Sequence, residues 1–337
     1  MIYVVIAFLW VSIVLYFILG GADFGAGIVE LFTFRRKDKK ITKNLMYESI
    51  APIWEANHMW LIIAIVILFV GFPEIYSFAS IYLHIPLVLM LVGIIARGTA
   101  FTFRHYDAVK DEWQTVYTQI FYYSSLLTPF FLGMIAASSI SGTLDPEAKT
   151  FLDLYVLNWF NVFGVSVGIF TISICAYLAS IYSLREASED FDLALMIKKA
   201  KQSMLFVVIA GILVFVAAYF SEIPLLERIF GNWVGITVIT FATLFLVFIF
   251  YFIKTKTLKM VRVFAAGQVI LILVAATYQL YPNIILLENG DHLSLLKNTA
   301  PEKTIAFLGW ALLIGSVFIL PFLFYLMLSF SKGKSKS

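Results

Sequence analysis

The chain has 337 residues, of which 61% are hydrophobic and 13% charged. Soluble domains are roughly half apolar, so this composition excludes an ordinary water-soluble globule. The net charge of +3 does not suggest a nucleic-acid binder, and a single cysteine, Cys175, excludes an intramolecular disulfide and a cysteine-ligated metal cluster.

The apolar residues fall in long runs. A membrane-crossing helix needs about 20 mainly apolar residues, and runs of that kind centre on 3–30, 50–72, 78–103, 114–138, 154–182, 203–221, 232–253, 261–281 and 304–329. The predicted fold is therefore all-α and polytopic, with about nine transmembrane helices. The expected grouping is two four-helix bundles, 1–138 and 154–281, followed by a final transmembrane helix at 304–330. The first run has no basic segment before it and no small-residue cleavage site after it, so it reads as a span rather than a signal peptide.

Between the runs, the segment 183–202 mixes charges and reads as a cytoplasmic helix, and 281–303 reads as an outer loop. Nineteen basic residues lie after odd-numbered spans, among them Arg35, Arg36, Lys37, Lys110, Lys198, Lys256, Lys334 and Lys336. Only four, Lys149, Arg228, Lys297 and Lys303, lie on the other side. The positive-inside rule then puts the N-terminus outside and the C-terminus in the cytoplasm. Trp54, Trp60, Trp113, Trp159 and Trp233 stand where interfacial anchors would. Pro86, Pro129 and Pro321 fall within spans and are expected to kink them.

Ionisable groups inside a membrane are functional candidates by default. Three stand out: Asp23 in GGADFGAG, Glu55 in PIWEANHMW and Arg97 in GIIARGTAFTFR. The span directions place all three in the cytoplasmic third of the bilayer, where they are expected to meet. Two readings fit them: a proton entry path or polar pocket, and an ion cluster that locks three helices together. Gly21 and Gly25 form a GxxxG step, best read as close helix packing. His58 lies one turn after Trp54, and a lone membrane histidine is more often a packing residue than a haem ligand. His84 reads the same way, while His105 and His292 fall in loops. Asn158, Asn161 and Gln268 read as interhelical hydrogen-bond partners. No metal centre is expected in the chain.

The blocks GADFGAG at 21–27, PIWEANHMW at 52–60, GFP at 71–73 and RGTAFTFR at 97–104 occur in an order and spacing that resembles subunit II of the cytochrome bd-type quinol oxidases, the cyanide-insensitive oxidases included. The resemblance is specific over the first third of the chain. Beyond that it rests on hydropathy and on the Tyr281–Pro282 pair. It implies a haem-free subunit of a bacterial cytoplasmic-membrane complex that oxidises quinol and reduces dioxygen to water, with protons drawn from the cytoplasm. It implies a partner, subunit I, that carries two b haems and a d haem, and allows a small single-helix accessory subunit. It also implies a quinone or a proton path within this subunit near Glu55; Asp23, Arg97, Trp54 and His58 are the other residues expected to line that path or pocket. Many members carry aspartate where Glu55 stands, so the acid is kept; His58 departs from the family's pattern. Quinol and membrane lipid are the expected small-molecule partners. A secondary transporter is the rival reading, although it would favour paired broken helices at the midplane. A membrane scaffold without catalytic duty is a further one.

Overall fold

A computed structural model describes residues 1–106 and 113–333. Lys110, Lys334 and Lys336 lie outside these residues, as does the side chain of His105. Among the described residues, nine helical segments are long and apolar enough to cross a membrane. Helices satisfy their own backbone groups, which lipid cannot do.

The first span has three parts: α1 (Ile2–Leu15), one π-helical turn (Tyr16–Gly20) and α2 (Gly21–Leu31). A π turn inserts an extra residue into the helical repeat and commonly marks a functional position. Here it sets the phase of α2, and therefore the direction in which Asp23 points. Next comes α3 (Arg36–Ile50), a basic helix that buries Thr42, Leu45, Met46 and Ile50 on one stripe. Only then does the second span, α4 (Trp54–Gly71), begin, after a turn.

The third apolar run is broken. Phe72 ends α4, Pro73 opens the short α5 (Pro73–Tyr82), and the crossing helix α6 (His84–Tyr106) starts after Leu83. Proline suits a first helical turn because the amide it lacks would be unpaired there. The His84 ring bonds the Ile81 carbonyl at this junction, 2.8 Å away, so His84 belongs to a helix start rather than to a helix interior. Pro129 is accommodated inside the fourth span, α7 (Trp113–Ser141).

A second π turn (Asp153–Leu157) leads to α8 (Val162–Ser183), which is capped by Asn161, whose side-chain oxygen accepts the Gly164 amide at 2.7 Å. Asn232 caps α11 (Trp233–Lys254) by the same Asn-x-x-Gly geometry at 3.0 Å. Asn161 is thus a cap, and the Asn158 amide bonds the Leu154 carbonyl one turn back; neither bridges helices. Gln268 does so. It accepts the Tyr177 hydroxyl at 2.7 Å and donates to the Ala242 carbonyl at 3.1 Å, joining three helices.

The segment 183–202 is not a separate cytoplasmic helix. It runs without a break from Asp190 into the sixth span as α9 (Asp190–Phe220), because no glycine or proline interrupts it. A short α10 (Leu225–Phe230) follows, then α11, α12 (Leu258–Thr277) and, after a loop, α13 (Glu302–Gly333). That loop carries a small antiparallel hairpin, β1 (Asn283–Leu286) with β2 (His292–Ser294). Its Ile285 and Leu293, with the nearby Leu295, pack onto Val5, Leu9, Phe72 and Leu83, which closes that end of the bundle.

Trp60 and Trp159 are buried in helix packing, not held at an interface, whereas Trp113 and Trp233 are exposed. The largest interhelical contacts join α6 to α7, α8 to α9, α2 to α8, and α11 to α12. Helix α2 packs tightly on α8: a Cβ at Gly25 would run into the backbone carbonyl of Cys175. A second apolar core surrounds this contact, with Ile174, Leu178, Met196 and Met204 among its members.

Candidate functional site

Two acids on α2 and two arginines on α6 form matched pairs inside the membrane. Asp23 and Glu30 are seven residues apart, and so are Arg97 and Arg104. Seven residues is close to two helical turns, so each pair lies on one face, separated by roughly 10 Å along its axis. All four are buried: Asp23 is 2% exposed, Glu30 1%, Arg97 1% and Arg104 5%. Between them lies α7, whose Phe121 ring carries both guanidinium groups, Arg97 at 5.5 Å and Arg104 at 4.6 Å from its centroid. Stacking on aromatic faces suits arginine because guanidinium is planar and weakly hydrated.

The two rungs are built differently. At the lower rung, one Arg104 nitrogen donates to both Glu30 carboxylate oxygens, at 3.0 and 2.8 Å. This is a closed, desolvated ion pair. At the upper rung, Arg97 Nη2 donates to the backbone carbonyl of Asp23 at 2.6 Å, not to its carboxylate. That carboxylate instead accepts the Asn57 amide at 2.9 Å. Arg97 and Arg104 alike keep two buried nitrogens, Nε and Nη1, without a hydrogen-bond partner, so the rungs differ only in what the acid's oxygens bond. The upper rung is therefore open, with an acid and a cation adjacent but not consumed by each other.

Around it lie further polar groups without partners: the Tyr16 hydroxyl, His58 Nδ1 and Trp60 Nε1. Buried polar atoms left unpaired are uncommon, and each calls for a ligand, a water or a mechanistic role. The His58 ring sits among Tyr16, Phe24 and Trp54, with centroids 6.0, 5.7 and 6.3 Å away. A porphyrin on that ring would have to displace these neighbours, so the packing does not fit a haem ligand. Among the described residues no three His, Cys, Asp or Glu side chains are grouped as a metal site.

Glu55 does not join this cluster. It occupies the first turn of α4 on the outward face, exposed, with Met59, Ile62, Val66 and Phe69 continuing the same stripe. No hydrogen bond or ion pair joins it to Asp23 or Arg97 among the described residues. The reason is helical phase. Asn57 shares the inward stripe with Trp60, Ala64 and Ile67, and Glu55, two residues earlier, lies far round the helix. Trp54 is half-buried and turns toward Phe101, 5.5 Å between centroids. The structure thus brings Asp23, Arg97, Trp54 and His58 together, adds Asn57 and Tyr16, and leaves Glu55 outside. Glu30 and Arg104 were not singled out by the sequence reading, although the matched seven-residue spacings, Asp23 to Glu30 and Arg97 to Arg104, were a signal for them.

A family model described as cytochrome bd terminal oxidase subunit II matches residues 1–330. The chain is 28% identical over 217 residues to the cytochrome bd ubiquinol oxidase subunit 2 of Bacillus subtilis, a stretch covering 64% of this chain and 61% of that protein. It is 26% identical over 179 residues to the cytochrome bd-I ubiquinol oxidase subunit 2 of Escherichia coli, covering 50% of this chain and 46% of that one. The aligned stretches thus span about half to three fifths of these relatives' lengths. The bd oxidase structure from Geobacillus thermodenitrificans shares the fold, with a TM-score of 0.74 at 18% identity over 97% of each chain. With the model match running almost from end to end over a nine-span membrane fold, the chain belongs to the family of cytochrome bd terminal oxidase subunit II.

Proposed function

We propose that this chain works as the haem-free second subunit of a quinol:dioxygen oxidoreductase and supplies a route by which protons enter from the cytoplasm. The observation that carries the reading is the open upper rung. Asp23 is buried, lies beside but is not neutralised by Arg97, and is held by the Asn57 amide, which can bond either charge state of the acid. A carboxylate so placed, bonded to an amide and not to a guanidinium, can take up and release a proton.

In the complex, two b haems and one d haem belong to the partner subunit and supply the electron chemistry. The reaction balances as two quinols and one dioxygen giving two quinones and two waters. This chain's part is to hold a proton at the Asp23 carboxylate and to orient it through Asn57, with Arg97 fixing the α2 backbone. The basic asymmetry supports an outer N-terminus and an inner C-terminus, which puts α3 and the cytoplasmic ends of α2 and α6 on the proton-supplying side. Glu55 stands at membrane depth on an otherwise apolar outward stripe. An acid facing lipid is costly, which supports a stripe that faces the haem-carrying subunit, where Glu55 would hand protons on. The nine spans read as a first set over 1–138, a second over 154–281 and a last helix over 304–330, with the α2–α8 contact joining the sets.

A bound quinone is a second reading, favoured by the donors left free on Arg97, Trp60 and Tyr16, since quinone carbonyls accept hydrogen bonds. The test is Asp23→Asn in the assembled complex. The proton-route reading expects normal assembly and haem content, with quinol-dependent oxygen consumption reduced at least about tenfold, equivalent to ~1.4 kcal/mol of barrier. Unchanged turnover together with loss of a co-purifying quinone would favour the quinone reading instead.

A further inference from the structure

Beside Asp23 the helices leave a cavity of about 30 Å³. One buried water needs roughly 10–15 Å³ of such space, so there is room for about two. Its walls come from four elements: Ala22 and Asp23 of α2, Ser49 of α3, Asn57 of α4 and Tyr182 of α8. The cavity is polar at Asp23, Asn57, Ser49 and Tyr182 and apolar elsewhere. Asp23 has about four lone-pair sites, of which the Asn57 amide occupies one. An apolar void stays dry, but a carboxylate, an amide and a hydroxyl converging on a space of this size give a water the two to four partners it needs.

The position of the cavity sets its direction. Met46 and Ile50 of α3 also line it, and α3 is the amphipathic basic helix outside the first two spans. At the α8 end, the Tyr182 carbonyl accepts a bond from Arg262 of α12, which is also paired with Glu186 at 3.2 Å. That ion pair is partly solvated, with side chains 26% and 14% exposed. Of its walls, Asp23, Met46, Ile50 and Asn57 are buried while Ser49 of α3 and Tyr182 of α8 are half-buried, so its shortest way to the aqueous phase runs past Ser49 and Tyr182.

We infer that this cavity is a hydrated vestibule through which Asp23 exchanges protons with the aqueous phase beneath α3, with Ser49 and Tyr182 as its polar wall and α3 as its roof. The inference rests on the proton-route reading and adds the entrance: protons reach Asp23 from under α3 and not by way of the exposed Glu55. No covalent step is involved; a proton moves between water and the Asp23 carboxylate.

The test uses the assembled complex carrying Ser49→Cys. The native Cys175 is 1% exposed, so the wild-type complex treated in parallel gives the background from the partner's thiols. A membrane-impermeant methanethiosulfonate is applied to inverted and to right-side-out vesicles, and the modification is read by mass on this chain. The vestibule predicts modification of Cys at position 49 in inverted vesicles only. It also predicts that turnover falls severalfold on modification and returns when a thiol reductant removes the adduct. That reversal excludes misfolding as the cause. Absence of modification in inverted vesicles overturns the inference, as does complete modification with unchanged turnover while Asp23→Asn remains slow. If Asp23→Asn itself turns over normally, the proton-route reading fails. The mass readout still decides in that case whether the cavity is open to water.

Discussion

The two rungs between α2 and α6 have the same sequence spacing and the same residue types, yet they are chemically opposite. Glu30 and Arg104 share three atoms of direct charge contact, all buried. Asp23 and Arg97 sit equally deep, but the arginine is spent on a backbone carbonyl and the acid on an amide. A closed pair has nothing left to exchange and fixes helices. An open pair beside a cavity keeps a carboxylate that no guanidinium bonds. The proposed function assigns the proton path to the open rung and the structural lock to the closed one.

The largest expected effect tests the closed rung. Arg104→Leu leaves Glu30 buried without its guanidinium partner, and breaking a buried pair in this way costs about 3–5 kcal/mol. Complex surviving heating in detergent should fall sharply. The double replacement Arg104→Leu with Glu30→Leu should recover much of it, because no uncompensated charge remains. If the single change is harmless, Glu30–Arg104 is not a lock and the contrast between rungs collapses.

A smaller loss follows from disturbing the helix that carries both acids. Gly25 lies between Asp23 and Glu30 and meets the Cys175 carbonyl, so Gly25→Leu forces α2 away from α8. Overpacking of this kind costs about 1–3 kcal/mol, and here both rungs shift together. Thermal survival and turnover per assembled complex should therefore both decline. A fall in survival alone would mean the upper rung tolerates a displaced α2.

The smallest effect is expected at Glu55. With its carboxylate outside the Asp23 cluster, Glu55→Gln should lower turnover by no more than the last proton hand-off requires, and by less than Asp23→Asn does. Oxygen consumption of the two variants, measured side by side, ranks them. A Glu55→Gln defect larger than that of Asp23→Asn would reverse the order and make the outward stripe the principal route.

Much of the architecture was legible because membrane helices need long apolar runs, and nine such runs are present among the described residues. What hydropathy could not show is where a helix begins outside the lipid. The charged stretch before span six continues as α9 because nothing in it stops a helix, and α3 precedes span two as a distinct surface helix. The site was half legible. Asp23 and Arg97 were visible as charges in apolar runs. The inward turn of Asn57 and the outward turn of Glu55 depended on helical phase along α4, where Asn57, Trp60 and Ala64 form one stripe and Glu55, Met59 and Ile62 another. Glu30 and Arg104 were hidden by their position near span ends, where charges usually mark an interface. The open cavity beside Asp23 depends on how four elements meet, and no local pattern encodes it.

The most direct measurement compares Asp23→Asn with Glu30→Gln as quinol-dependent oxygen consumption per assembled, haem-loaded complex. The two substitutions are chemically identical, an acid replaced by its neutral amide, two helical turns apart on one helix face. The open-rung account predicts that Asp23→Asn assembles and turns over at least about tenfold more slowly, while Glu30→Gln yields less complex whose surviving molecules turn over at the unmodified rate. Equal turnover defects in the two variants, or a slow Glu30→Gln beside a fast Asp23→Asn, would contradict it.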